Sequence, residues 1–177
     1  SFCEFAEKIN DKSNLFIAEG LPLEGKTVAV NQHADCKAFN VKIENGIYVF
    51  DAQIGDNVLL GLEFPLPGNH NLMNATMALA MAYKYGITEV QIAAALKSFK
   101  GIQRRFSYQV QSDDLVYIDD YAHHPTEINA VYQAVRELFP EDEILAIFQP
   151  HLFSRTKDFA DDFASSLSKF DKVLLLD

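Results

Sequence analysis

Two short stretches in the second half of the chain gather most of its candidate chemistry. The first reads Asp119-Asp120-Tyr121-Ala122-His123-His124-Pro125 and the second Gln149-Pro150-His151-Leu152-Phe153-Ser154-Arg155. Carboxylates, imidazoles, a phenol and a guanidinium can bind anions, orient an amine and move protons, which suits acid–base or group-transfer work. Read singly, Asp119 or Asp120 caps a helix, Pro125 opens it and Arg155 is a surface charge. Read jointly, the two stretches point to a site.

Three other segments invite a chemical reading. Gly68-Asn69-His70-Asn71-Leu72-Met73-Asn74-Ala75 delivers Asn and His side chains to a helix start, where amides can read the edge of a nucleobase; the plain alternative is a helix cap. Arg104-Arg105-Phe106 offers guanidinium groups that can grip a phosphate with two hydrogen bonds. Adjacent residues on a strand face opposite ways, so only one of the two arginines should point at a ligand. Gly20-Leu21-Pro22-Leu23-Glu24-Gly25-Lys26-Thr27 fits the phosphate-loop pattern, but that mechanism needs a helix after the Lys-Thr pair. The β-like run Val28-Ala29-Val30-Asn31 follows instead, and Pro22 lacks an N–H, so the match reads as a decoy.

A metal reading also arises. His70, His123, His124 and His151 with the nearby aspartates could hold zinc or a metal pair. Against it, neighbouring His123 and His124 point apart on an ordered backbone, and no His-x₃-His pair lies on a helix.

The elements that must position these groups come in two styles. Phe2, Phe5, Ala6 and Ile9 are spaced for a short amphipathic helix. Short β-like runs follow at 14–18, 26–31, 38–43, 46–50 and 58–64, with an Asn45-Gly46 hairpin turn, and predict a mainly antiparallel sheet. A helix over 71–85 stops at Gly86, and Thr88-Glu89-Val90-Gln91 opens a second one running to Phe99. Beyond a boundary near 101–104 come a hairpin (106–111 and 115–118), a helix over 126–138, a strand at 144–148, a helix over 156–167 and a strand at 173–176. That alternation predicts right-handed βαβ units and a parallel sheet. The fold class is therefore α/β, in two domains of residues 1–102 and 103–177.

Composition narrows the partners. Lys and Arg total 15 and Asp and Glu 25, a net charge of −10 over 177 residues, which argues against nucleic acid as the main partner. No apolar run approaches the roughly 20 residues of a membrane span. Only Cys3 and Cys36 are present, which fits a reducing, cytoplasmic setting. With no initiator Met, and a strand-like run directly before Asp177, the chain reads as a fragment of a longer protein. Oligomeric state is not legible in it.

Taken in order, Gly68-Asn69-His70-Asn71-(x)₂-Asn74-Ala75, Arg104-Arg105-Phe106, Asp119 to Glu127 and Phe148-Gln149-Pro150-His151-(x)₃-Arg155-Thr156 resemble the motifs of the Mur ligase family. The resemblance implies an ATP-dependent, amide-forming ligase of peptidoglycan precursor synthesis, built from three domains. Residues 1–102 would be the latter part of the central ATPase domain, and 103–177 the first part of a Rossmann-like C-terminal domain. The family's true phosphate loop would lie upstream, consistent with a decoy at 20–27.

Residue by residue, the resemblance assigns His70, Asn71 and Asn74 to adenine, Arg105 to the ATP phosphates and Asp120 to the ribose. It assigns Tyr121, His123, His151 and Arg155 to the incoming amino acid. Leu152 stands where many relatives carry Arg. The implied substrates are ATP, UDP-N-acetylmuramate and L-alanine, with Mg²⁺ held mainly by residues outside this chain. The muramate carboxylate would attack the γ-phosphoryl group, and the amine of L-alanine would then attack the acyl phosphate. That amine must arrive neutral, and His123, a residue type that titrates near neutrality, is the candidate base. The chain alone is expected to be inactive. Rival readings are a sister ligase attaching a tripeptide, a metal-dependent phosphohydrolase and a non-catalytic nucleotide-binding module.

Overall fold

A five-stranded mixed sheet backed by two helices fills the first hundred residues of the computed structural model, which describes residues 2–176. The Phe2 side chain, one member of the expected N-terminal apolar stripe, and the closing Asp177 lie outside the described residues. Two compact units, residues 1–100 and 101–177, are each described by themselves.

In the first unit α1 (Phe2–Glu7) precedes β1 (Phe16–Ala18), β2 (Lys26–Val30), β3 (Cys36–Glu44), β4 (Ile47–Ile54) and β5 (Asn57–Phe64), hydrogen-bonded in that order. β3, β4 and β5 are antiparallel, as the Asn45-Gly46 turn demands. Asn45 and Gly46 both take positive φ, 53° and 77°, as a type I′ turn requires. β1–β2 and β2–β3 are short parallel pairs, so the sheet is mainly antiparallel, as expected, but carries a parallel edge that the sequence did not announce. Parallel neighbours usually need a long crossover, but here Val28 to Val30 pair only with Cys36 to Ala38. The connection climbs back by about two residues of strand, about 7 Å, which a short loop can manage.

Alternation on β4 buries Tyr48, Phe50 and Ala52 on one face. Against that face lies α2 (Asn69–Lys84), whose Leu72, Ala75, Thr76, Leu79 and Ala80 recur at helical spacing, together with Ile92 and Leu96 of α3 (Glu89–Ser98). Thr88 accepts the Gln91 amide while Gln91 accepts the Thr88 amide, a complete capping box. α2 begins two residues earlier than the sequence suggests, because Gly68 at φ 93° serves as its N-cap.

The second unit holds two separate two-stranded sheets. β6 (Ser107–Gln111) and β7 (Val116–Asp119) form an antiparallel hairpin; β8 (Leu145–Phe148) and β9 (Lys172–Leu175) pair in parallel. α4 (Pro125–Leu138) joins β7 to β8, and α5 (Phe153–Asp158) and α6 (Ala160–Leu167) join β8 to β9. The single parallel sheet expected through β7, β8 and β9 is thus interrupted: a cavity of about 870 Å³ separates β7 from β8, lined by Val116 and Ile118 on one side and Ala146 and Phe148 on the other. Strands consecutive in sequence need not be neighbours, and a helical crossover such as α4 can step past a sheet position.

The helix expected over 156–167 is also broken. Phe159 leaves helical geometry at φ −118°, ψ 27°, and sets its ring edge-on to His124 at 5.0 Å. Ile128, Phe163 and Leu167 form the small core of this unit, with Phe148 and Phe170 packed against them.

Candidate active site

The residues at 20–27 are not a phosphate cradle. Lys26 and Thr27 lie on β2, with no helix after them. Asp35 Oδ2 accepts the Thr27 amide at 2.8 Å and the Thr27 hydroxyl at 3.0 Å, so both groups a phosphate would need are already engaged. Lys26 donates its amide to Leu15 O at 2.7 Å within the sheet.

The Asn and His group sits on the first two turns of α2. Gly68 donates its amide to the buried Tyr48 hydroxyl at 3.1 Å, which anchors the helix start to the sheet. Asn71 is half-buried and donates Nδ2 to Pro67 O at 2.7 Å, fixing the amide plane and leaving Oδ1 unengaged. Asn74 is exposed one turn on, and His70 is half-buried, on the same side of the helix as Asn74. Gly68 is the N-cap and no side chain caps this helix; the Asn71 bond runs to a carbonyl, so the helix-cap reading of Asn71 does not hold.

In the second unit the turn before β6 is closely specified. Arg104 and Phe106 both occupy the left-handed region, at φ 59° and 48°, a costly conformation for side chains of this size. Arg104 lies 3.6 Å from Asp119 and stacks over the Tyr121 ring at 5.0 Å. Arg105 is exposed and its guanidinium has no partner among the described residues. Strand alternation predicted that only one of the two would be available. The structure separates them, though through a turn with two left-handed residues rather than through a strand face.

The two polar loops meet. Asp120 accepts the Phe106 amide on Oδ2 and the Ala122 amide on Oδ1, each at 2.8 Å. Arg155, on α5, reaches back with Nη1 3.5 Å from the His123 carbonyl. His123 places Nδ1 2.9 Å from Tyr121 O. A carbonyl can only accept, so that contact selects the Nδ1–H tautomer of the neutral ring and leaves the Nε2 lone pair free to take a proton. Glu127 accepts the His123 amide at 2.9 Å and holds the loop against the start of α4. The sequence reading gave Glu127 no role; its place four residues after His123, in the first turn of a helix, is the signal that marks it.

Other members are placed differently. His124 accepts the Thr126 amide through Nδ1 at 3.3 Å and so caps α4, a structural task. His151 is exposed on the loop after β8 with no partner among the described residues, and Tyr121 is half exposed, edge-on to His123 at 5.1 Å. Leu152 starts α5 at φ 69° with its side chain outward. Among the described residues no group of three His, Cys, Asp or Glu side chains could hold a metal ion, and no helix is long and apolar enough to cross a membrane.

Comparison with known proteins points to one family. Residues 104–177 match the model of the Mur ligase glutamate ligase domain. All 177 residues align at 64% identity with a UDP-N-acetylmuramate–L-alanine ligase of Flavobacterium johnsoniae, and at 58% with the protein of that name from Christiangramia forsetii. The second unit thus matches a Mur ligase domain, and the whole chain is similar to Mur ligases. It covers 39% of the length of each of those two relatives. Among solved Mur ligases, the UDP-N-acetylmuramate–alanine ligase MurC of Thermotoga maritima superposes on 85% of the chain, with TM-score 0.72 and 28% identity, over 33% of its own length. The chain shares the mixed α/β architecture of that neighbour.

Proposed function

We propose that this chain is part of an ATP-dependent ligase that joins L-alanine to the carboxylate of UDP-N-acetylmuramate in peptidoglycan precursor synthesis. The observation that carries the reading is the 64% identity, across every residue of the chain, to a protein named for that reaction. A cytoplasmic setting is proposed with it.

In this reading the muramate carboxylate attacks the γ-phosphoryl group of ATP to give an acyl phosphate and ADP. The amine of L-alanine then attacks the acyl carbonyl, and phosphate leaves. Asn71 Oδ1, the Asn74 amide and His70 serve the adenine. Arg105 supplies a free cation where charge builds on the transferring phosphoryl group, the type of contribution that dominates such reactions. Asp120 faces the ribose. Mg²⁺, when bound, would neutralise phosphate charge; among the described residues no group of three His, Cys, Asp or Glu side chains gathers for it. His123 takes a proton from the ammonium of L-alanine through Nε2, the nitrogen its contact with Tyr121 O leaves open. Arg155 and His151 bind the L-alanine carboxylate, and Tyr121 walls the pocket.

The test is phosphate release by the full-length protein with ATP, Mg²⁺ and UDP-N-acetylmuramate, comparing L-alanine with a tripeptide. Turnover that needs L-alanine supports the reading. Turnover only with the tripeptide assigns the recycling reaction instead, and ATP hydrolysis indifferent to both acceptors removes the ligase assignment.

A further inference from the structure

The two peptide groups that flank Arg105 are held almost completely. The Arg104 carbonyl accepts the Tyr121 amide at 2.9 Å, the Arg105 amide donates to Ile102 O at 3.0 Å, and the Phe106 amide donates to Asp120 Oδ2 at 2.8 Å. Three of their four polar groups are thereby fixed, and the Phe106 ring is 2% exposed, so the turn is pinned by its side chain as well. The left-handed residues Arg104 and Phe106 bracket Arg105, the one arginine among the described residues whose guanidinium is unpaired. Such conformations persist only where their surroundings over-determine them, and here the carboxylates among those surroundings are Asp119, 3.6 Å from the Arg104 side chain, and Asp120, which alone of the two bonds the turn's backbone.

The geometry of its carboxylate limits what else it can do. One oxygen holds Phe106 before β6 and the other holds Ala122 after β7, so the group straps two loops together with charge-assisted bonds. We propose that Asp120 is the positioning residue for Arg105, and that its carboxylate holds the turn that aims the guanidinium at a phosphoryl anion. This rests on the phosphate role given to Arg105 above. It gives Asp120 a role exerted through the backbone, beside the ribose contact proposed above. Removing the strap lets Arg104 and Phe106 relax to ordinary φ, and Arg105 turns with them.

The experiment is a pair of cycles on the full-length ligase, with Asp120→Asn, Arg105→Ala and the double variant assayed for kcat and KM with ATP and with 2′,3′-dideoxy-ATP. Asparagine fills the same space but cannot accept both amides with a full charge. A positioning role predicts a kcat loss of about tenfold or more for Asp120→Asn, equal for the two nucleotides. It predicts no further loss when Arg105 is already alanine. Amide hydrogen exchange should speed up at Phe106 and Ala122 and stay unchanged in β4.

A loss that disappears with the dideoxy nucleotide makes Asp120 a ribose ligand alone and overturns the proposal, as do losses that multiply in the double variant. If Arg105→Ala alone turns over normally, the phosphate role of Arg105 fails and the proposal falls with it. An impaired Arg105→Ala beside a normal Asp120→Asn overturns the proposal only. Should Asp120→Asn fail to fold, Asp120→Glu, which keeps the charge and moves both acceptors by one methylene, carries the same cycle.

Discussion

The Thr27 hydroxyl donates to Asp35 Oδ2 at 3.0 Å, and the Asp35 amide donates back to the same hydroxyl at 3.0 Å. This reciprocal clasp closes the short link between two parallel strands, which is why a phosphate-loop pattern ends in a sheet. Lys26→Ala should therefore leave ATP turnover of the full-length protein unchanged. Asp35→Ala should lower stability by about 1 kcal/mol through the lost hydrogen bonds. Steady-state kinetics and urea unfolding check the two halves, and loss of turnover in Lys26→Ala would contradict the assignment.

Arg104 and Arg105 should separate sharply. Arg105→Ala is expected to reduce kcat by about 10²-fold or more, since its contact is made chiefly in the transition state. Arg104→Ala breaks an exposed ion pair and a stacking contact on Tyr121 and should cost no more than about 1 kcal/mol of stability. Measured kcat values in the opposite order would reverse the roles.

Arg155→Ala should raise KM for L-alanine by about 10- to 100-fold, the worth of a charged hydrogen bond, while KM for ATP changes little. Its guanidinium lies beside the His123 carbonyl, on the amino-acid side of the proposed chemistry. Equal KM values for L-alanine in variant and parent would remove Arg155 from the acceptor site.

Acid should weaken the fold in a defined window. Backbone and hydroxyl hydrogen bonds from Thr27 hold the Asp35 carboxyl below its ordinary value. The Asn40 side chain and then the Gly61 amide do so for Asp51, and the Ile144 amide and then Arg136 for Asp171. A carboxyl depressed in the folded state stabilises above its unfolded value of 3.8 and loses that contribution as pH falls through the folded value. Stability should thus stay flat from neutral pH to about 4 and drop below it. Asp51→Asn should flatten that acid limb in a series of thermal melts, and an unchanged limb would show that these carboxylates are not its source.

Much of this was legible because local chemistry decided it. The Asn45-Gly46 turn and the Thr88–Gln91 capping box are written in two and four residues, and both formed as read. A second turn, at Gly55-Asp56 between Ile54 and Asn57, carries the same kind of signal. Non-local features were harder. Asp51 pinches two bulges at once, holding Asn40 on β3 and Gly61 on β5, and nothing near Asp51 in sequence announces it. The parallel pairings depend on how far a loop must climb, and the break at Phe159 on a ring contact with a residue 35 positions earlier. At the site, residue types and loop positions were readable; the tautomer of His123 and the strap from Asp120 required coordinates.

The gap between β7 and β8 has a consequence for handling the protein. Each bounding strand pairs on one side only among the described residues, and Leu145 and Ile147 of β8 are more than half exposed. Unsatisfied backbone donors and acceptors along a strand edge are a template for any extended peptide, including one from another molecule. Concentrated solutions of this chain should therefore turn cloudy over time, faster when warmed. A gatekeeping Ile147→Lys should slow the rise in light scattering, because burying its ammonium in a new strand pair is costly.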